Sequence, residues 1–98
     1  MIFKSTRGQA PELGFDDVLL TGLAQDGGLY VPDAWPKRSA DDWRALRGAG
    51  YADLAAAITR PFIAGSVLEA GYDDLMEAAY STFDHPAVAP MVQLDTNT

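Results

Sequence analysis

Ser5, Thr6 and Arg7, with Lys4 before them and Gly8 behind, form the cluster in this sequence whose residue types best suit the capture of an anion. Two cations and two hydroxyls on one loop can present several donors together, and the planar fork of arginine matches a phosphate or carboxylate with two parallel hydrogen bonds. The same composition also serves ordinary loop hydrogen bonding, because Ser and Thr hydroxyls close local turns. Asp26-Gly27-Gly28 has the glycines of a phosphate loop, but it runs from a predicted helix into a predicted strand. A phosphate cradle runs the other way, into the N-terminus of a helix, so this segment reads as a structural turn.

The remaining reactive side chains are sparse. There is no cysteine nucleophile, His85 is the single histidine, and Lys37 is the one lysine outside the N-terminal strand. One histidine makes no metal site, and His85, placed at the end of the last predicted helix, reads as a residue that interacts with the helix dipole or caps its carbonyls. The acidic pairs Asp16-Asp17, Asp41-Asp42 and Asp73-Asp74 each open a predicted helix. There, unpaired N–H groups and the dipole stabilise a carboxylate by about 0.3–1 kcal/mol. Adjacent helical residues point in different directions, so these pairs are not arranged for acid–base work.

The elements that must position these residues follow from periodicity. Residues 2 to 4 read as a short strand and Ser5 to Gly14, with two glycines and Pro11, as a loop. Phe15, Val18, Leu19 and Leu23 recur at helical spacing and predict a helix from Phe15 to Gln25, ended by the double glycine. Leu29-Tyr30-Val31 has strand character and is expected to pair near residues 2 to 4. Trp35, in the connector Pro32 to Arg38, is expected to cover one edge of the core.

Ser39 and Asp42 form a capping-box pattern ahead of a short helix carrying Trp43 and Leu46. A third helix begins at Tyr51, with Leu54, Ile58 and Phe62 on one stripe and Pro61 kinking or ending it. A fourth is predicted over Tyr72 to Phe83, with Leu75, Met76, Ala79, Tyr80 and Phe83 inward. Met91-Val92-Gln93-Leu94 alternates like a strand, followed by a polar turn. A strand and turn imply a partner strand that the sequence does not supply, so the chain is expected to be truncated, with Val92, Leu94 and Trp35 left open to water and self-association through that edge.

Composition bounds the rest. Ninety-eight residues, 48 % of them apolar, suit one globular domain over residues 1–98, able to bury about two thirds of its unfolded surface. The fold class expected is α+β, with three to four helices packed on a small sheet and helices dominating. Seven basic against fourteen acidic residues give a charge of −7, which repels phosphate backbones and anionic membranes; nucleic acid and membrane are not expected partners. The lack of cysteine excludes disulfides and fits a reducing compartment, so a cytoplasmic location is expected. The N-terminal residues lack the apolar stretch of a signal peptide.

Three segments give the sequence a family resemblance: Ser5-Thr6-Arg7-Gly8, Gly22 through Pro32 with its Asp26-Gly27-Gly28-Leu29-Tyr30-Val31 centre, and Phe83-Asp84-His85-Pro86-Ala87-Val88-Ala89-Pro90. In order and spacing, over essentially the whole chain, they resemble the N-terminal domain of threonine synthases of the class with an extended N-terminus. The resemblance implies a parent enzyme that converts O-phospho-L-homoserine and water into L-threonine and phosphate, with pyridoxal phosphate held covalently on a lysine. That lysine follows a histidine-glycine-proline-threonine stretch in the family, and neither Lys4 nor Lys37 matches it. The implication is a chain that holds no cofactor, catalyses nothing alone, and packs against the catalytic domain of the same polypeptide. Ser5, Thr6 and Arg7 are then the candidates to reach the substrate cleft or the domain interface. Two other readings share the same fold: a free-standing acidic interaction module, and part of a threonine-synthase-like protein with altered activity.

Overall fold

A computed structural model describes residues 1–98. Two three-residue strands, β1 (Phe3–Ser5) and β2 (Tyr30–Pro32), pair antiparallel with Lys4 opposite Val31. The other edge of β1 takes an isolated bridge from Leu13 to Phe3, so the loop between Ser5 and Leu13 is tied down at both ends. The α+β expectation holds, and the pairing of the N-terminal segment with the strand after the double glycine falls within a residue of where periodicity placed it.

Four α-helices follow in chain order: α1 (Phe15–Thr21), α2 (Ala40–Ala45), α3 (Tyr51–Thr59) and α4 (Tyr72–Tyr80). Helix α1 is one turn shorter than its apolar spacing suggests. It stops at Gly22, whose φ of 72° turns the chain away while its N–H still reaches the Val18 carbonyl at 3.0 Å. Leu19 on α1 and Leu23 just past it, two of the residues whose spacing predicts the helix, are exposed, because no second layer lies over that side.

Helix α2 begins as the sequence indicates. The Ser39 hydroxyl accepts from the Asp42 amide at 3.1 Å, and the Asp42 carboxylate accepts from the Ser39 amide at 2.8 Å, so two orphan donors are satisfied reciprocally. These bonds also hold the Asp42 carboxyl below the usual carboxylate range. Helix α3 tightens into a 3-10 turn over Arg60–Ile63, since Pro61 has no N–H to continue the α pattern.

The small core sits where α3, the 3-10 turn and α4 meet. Ala56, Ile63 and Tyr72 are buried there, with Phe15, Leu68 and Met76 packed around them. The Tyr72 hydroxyl shares a hydrogen bond of 2.6 Å with Thr59 Oγ1, and the Arg60 guanidinium lies over the Tyr72 ring while pairing with Asp73. Phe3 carries the sheet onto this core by a tilted contact with Phe15, ring centroids 6.2 Å apart. The stripe read for α4 is corrected by one turn: Tyr72 is the buried residue, while Leu75 and Phe83 are exposed and the helix ends at Tyr80.

Beyond α4 the chain forms turns, and Met91 to Leu94 is not a strand. Its one backbone hydrogen bond is local, from the Leu94 amide to the Thr98 carbonyl at 2.9 Å, so no strand ladder forms, and Val92 and Leu94 are open to water as expected. Trp35 meets Phe62 edge-on at 5.8 Å yet stays largely exposed, so it flanks the core without sealing it.

The result is an open shape. The radius of gyration is 16.8 Å, against ~13 Å for a compact domain of this length. The chain exposes 7260 Å², where scaling for a compact monomer of this size gives ~5,400 Å². The extended tail accounts for part of that excess. Exposed apolar side chains of α1 and the loops beside it, Leu19, Leu20, Leu23 and Val67, contribute as well.

Candidate functional site

The two segments that stood apart in the sequence, Ser5-Thr6-Arg7 and Asp26-Gly27-Gly28, are one structure. Pairing of β1 with β2 brings the end of the first strand beside the turn that precedes the second. Across that junction the Thr6 amide donates to the Leu29 carbonyl at 2.8 Å, and the Leu29 amide donates back to the Thr6 hydroxyl at 3.0 Å.

Asp26 is the hub. Its carboxylate accepts the Ser5 hydroxyl at 2.7 and 2.8 Å on its two oxygens, the Gln9 amide at 2.9 Å and the Gly28 amide at 2.9 Å. The Ser5 hydrogen bond is the largest influence holding its carboxyl below the usual carboxylate range, with the Gly28 and Gln9 amides and the Arg7 charge adding to it against some desolvation. The Ser5 hydroxyl also accepts the Arg7 amide at 3.2 Å, and the Arg7 Nη1 donates to the Asp26 carbonyl at 3.0 Å. Strand and turn are thus latched through both the side chain and the backbone of one aspartate.

The glycines are required by this latch. Gly27 has a φ of 83°, and a Cβ there would stand 2.6 Å from the Arg7 Nη1. At Gly28 a Cβ would collide with the Ser5 hydroxyl and press on Asp26 Oδ1 and Thr6 Oγ1 at 3.0 Å each. The double glycine therefore does more than let the chain turn, which is the role the sequence assigned it. It opens the space in which Ser5, Thr6 and Arg7 dock.

This arrangement does not activate a nucleophile. Ser5 is buried and donates to a carboxylate whose lowered pKa makes it a weak base, and no imidazole stands beside it. What the latch does chemically is aim Arg7. The guanidinium is exposed, spends Nη1 on the Asp26 carbonyl and makes no direct ion pair; its charge acts on the nearby Asp26 carboxylate, while its other N–H donors stay unspent.

The other reactive side chains fall elsewhere. His85 lies five residues past the end of α4, not on its last turn, and its Nδ1 accepts the Ala87 amide at 3.0 Å, closing a turn and capping no helix. With Tyr51, Glu77 and Tyr80 it borders a shallow hollow of about 240 Å³. Asp16 stands in the first turn of α1, as its position in the sequence indicates, and its carboxylate also accepts the Ser66 hydroxyl, 50 residues away, and the Val67 amide at 3.2 Å. Neither contact has a signal in the sequence, because both depend on where the 3-10 turn delivers the loop after it. Asp73 pairs with Arg60, and Asp41 with Arg44 on the same helix.

The lysines do not fit covalent attachment of an aldehyde cofactor. Lys4 Nζ stands 2.8 Å from Asp33 and 3.5 Å from Glu12, and the Asp33 hydrogen bond and charge, followed by the Glu12 charge, raise its pKa. A lysine that condenses with an aldehyde must give up its proton. Lys37 is exposed on the connector and borders no hollow.

The fold is a helix-dominated α+β unit with a latched arginine loop and a small core. The chain belongs to the family described as the threonine synthase N terminus, whose pattern matches residues 2–80. It is 48 % identical over 97 residues to a threonine synthase of Pseudomonas aeruginosa, covering 99 % of this chain and 21 % of that protein. It is 35 % identical over 96 residues to a mouse protein named threonine synthase-like 2, covering 96 % of this chain and 20 % of the relative. A crystal structure of PLP-bound threonine synthase from Brucella melitensis matches with a TM-score of 0.87 and 49 % identity over 99 % of this chain and 21 % of that one. The chain therefore spans about a fifth of the length of these relatives. No helix is long and apolar enough to cross a membrane.

Proposed function

We propose that these residues serve as the N-terminal supporting domain of a cytoplasmic, pyridoxal-phosphate-dependent threonine synthase. The parent enzyme converts O-phospho-L-homoserine and water into L-threonine and phosphate, and the cofactor acts as its electron sink in a part of the protein that these residues do not supply. The observation that carries the reading is the match of nearly the whole chain to a fifth of a named threonine synthase at 48 % identity.

Within that enzyme the domain packs against the cofactor-binding part and presents the Ser5-Thr6-Arg7 loop to the substrate cleft or its rim. Arg7 is the residue suited to this, since its fork matches the phosphate and carboxylate groups of the substrate and only its Nη1 is spent within the domain. Asp26, Gly27 and Gly28 position it. The 98-residue chain alone neither binds the cofactor covalently nor turns over substrate.

A second reading, a threonine-synthase-like protein with a changed reaction, is favoured by the 35 % identity to the mouse threonine synthase-like 2. The two separate in a chimera in which this chain replaces the corresponding fifth of the Pseudomonas aeruginosa enzyme. Threonine formation by the chimera supports the first reading. A folded chimera that makes no threonine would remove it in favour of the second, or of a free-standing module that binds some other protein.

A further inference from the structure

The surface formed by α1 and the loop after the 3-10 turn is built and then left uncovered. Leu20 is 86 % exposed, Leu19 61 % and Val67 82 %, and together with Leu68 and Asp16 they line one open hollow of about 330 Å³. Large apolar side chains scattered singly need no explanation, but a contiguous group rimmed by charge marks a contact surface. The group is held in place, because the Asp16 carboxylate takes the Ser66 hydroxyl and the Val67 amide and so fixes the loop that carries Val67 beside the helix that carries Leu19 and Leu20. A preformed surface lowers the ordering cost of whatever covers it.

Three candidates could cover it. The tail of this chain is apolar at Met91, Val92 and Leu94, but all three are strongly exposed and the tail leaves the hollow open. A second copy would bring another charge of −7 against the first, with Asp16 lining the hollow and Asp17 next to it in the first turn of α1. The third candidate is the rest of a longer polypeptide. Relatives that match 99 % of this chain are about five times its length, and a segment joined to the domain is present at high effective concentration without needing strong affinity of its own.

We propose that the face made by Leu19, Leu20, Val67 and Leu68 is the surface on which this domain seats against the cofactor-binding part of its own polypeptide, through an apolar patch bordered by basic groups that meet Asp16 and Asp17. The inference rests on the functional reading above. It adds which face does the seating: the pinned α1 surface, not the unpaired tail.

Side-chain footprinting with a photoactivated carbene, read by mass spectrometry, tests it on the longer polypeptide carrying this domain and on the 98-residue chain. The expected result is labelling of Leu19, Leu20 and Val67 that is high in the short chain at every concentration and several-fold lower in the longer polypeptide. Equal labelling in the two would overturn the proposal. So would labelling in the short chain that falls with concentration, which puts a second copy on the face, or labelling low at all dilutions, which puts the tail there. A Leu20→Glu substitution in the longer polypeptide should split its unfolding into two transitions, and a single unchanged transition contradicts the proposal. Threonine formation measured on the same preparation separates the two claims: an active enzyme with an open face removes this inference alone, and a covered face without activity removes the functional reading alone.

Discussion

The Ser5 hydroxyl and the Asp26 carboxylate, 21 residues apart in the chain, meet at 2.7 Å and join the first strand to the turn before the second. The Gly28 and Gln9 amides converge on the same carboxylate, and Thr6 adds two bonds to Leu29 beside it. A Gly28→Ala substitution places a methyl group against Ser5, Thr6 and Asp26 at once. Overpacking of this kind costs about 1–3 kcal/mol. The expected outcome in thermal unfolding is a clear fall in Tm, whereas Gly14→Ala, where a Cβ meets nothing, should leave packing undisturbed.

Asp26 also gives the fold a pH dependence of known sign. Its carboxyl pKa is lowered in the folded state, so the unfolded chain takes up the proton first. The stabilisation is present above the ordinary carboxylate value of about 3.9 and is lost as pH falls through the lowered folded value. Urea unfolding between neutral and acid pH should show the parent losing stability across that acid window, and Asp26→Asn, already weaker at neutral pH, losing less. Equal slopes for the two proteins would exclude Asp26 as the source.

The core is small enough that one side chain carries much of it. Ile63 is 3 % exposed and is one of three buried residues at the centre of the α3–α4 contact. Truncation of a buried isoleucine to alanine costs about 2–5 kcal/mol, a large share of the 5–15 kcal/mol typical of a whole domain. Circular dichroism of Ile63→Ala should show a strongly lowered Tm or an unfolded chain.

Much of this architecture is legible in the sequence, for local reasons. The capping box at Ser39 and Asp42, the interruption at Pro61 and the strand after the double glycine depend on side chains within four residues of one another, and all three are found. Failures occur where a long-range partner decides. Periodicity cannot tell that Leu19 faces open solvent, since an uncovered apolar stripe looks like a buried one. The Met91 to Leu94 alternation is equally blind to whether a neighbouring strand exists. In the candidate site, Ser5, Thr6 and Arg7 were visible from their types, as was the turn. Their union was not, because it depends on the register of β1 against β2.

Arg7 carries the prediction about substrate. In the longer polypeptide, Arg7→Ala should lower kcat/KM for O-phospho-L-homoserine by roughly tenfold to a hundredfold, as expected for charge-assisted hydrogen bonds worth about 1.5–3 kcal/mol. Arg7→Lys should recover the charge and only part of the effect, since an ammonium lacks the fork. Steady-state kinetics for both variants, beside a thermal melt, separate a contact with substrate from a purely structural role. Unchanged kinetics and unchanged stability in Arg7→Ala would leave the loop without a function at the cleft.

The central claim is that this domain supports chemistry performed elsewhere in the polypeptide. Phosphate release from O-phospho-L-homoserine, measured side by side for the 98-residue chain and for the longer polypeptide carrying it, each supplied with pyridoxal phosphate, tests it most directly. The account predicts release by the longer polypeptide and none above background by the chain alone. Turnover by the chain alone would contradict it, because Lys4 and Lys37 would then have to do what their surroundings argue against.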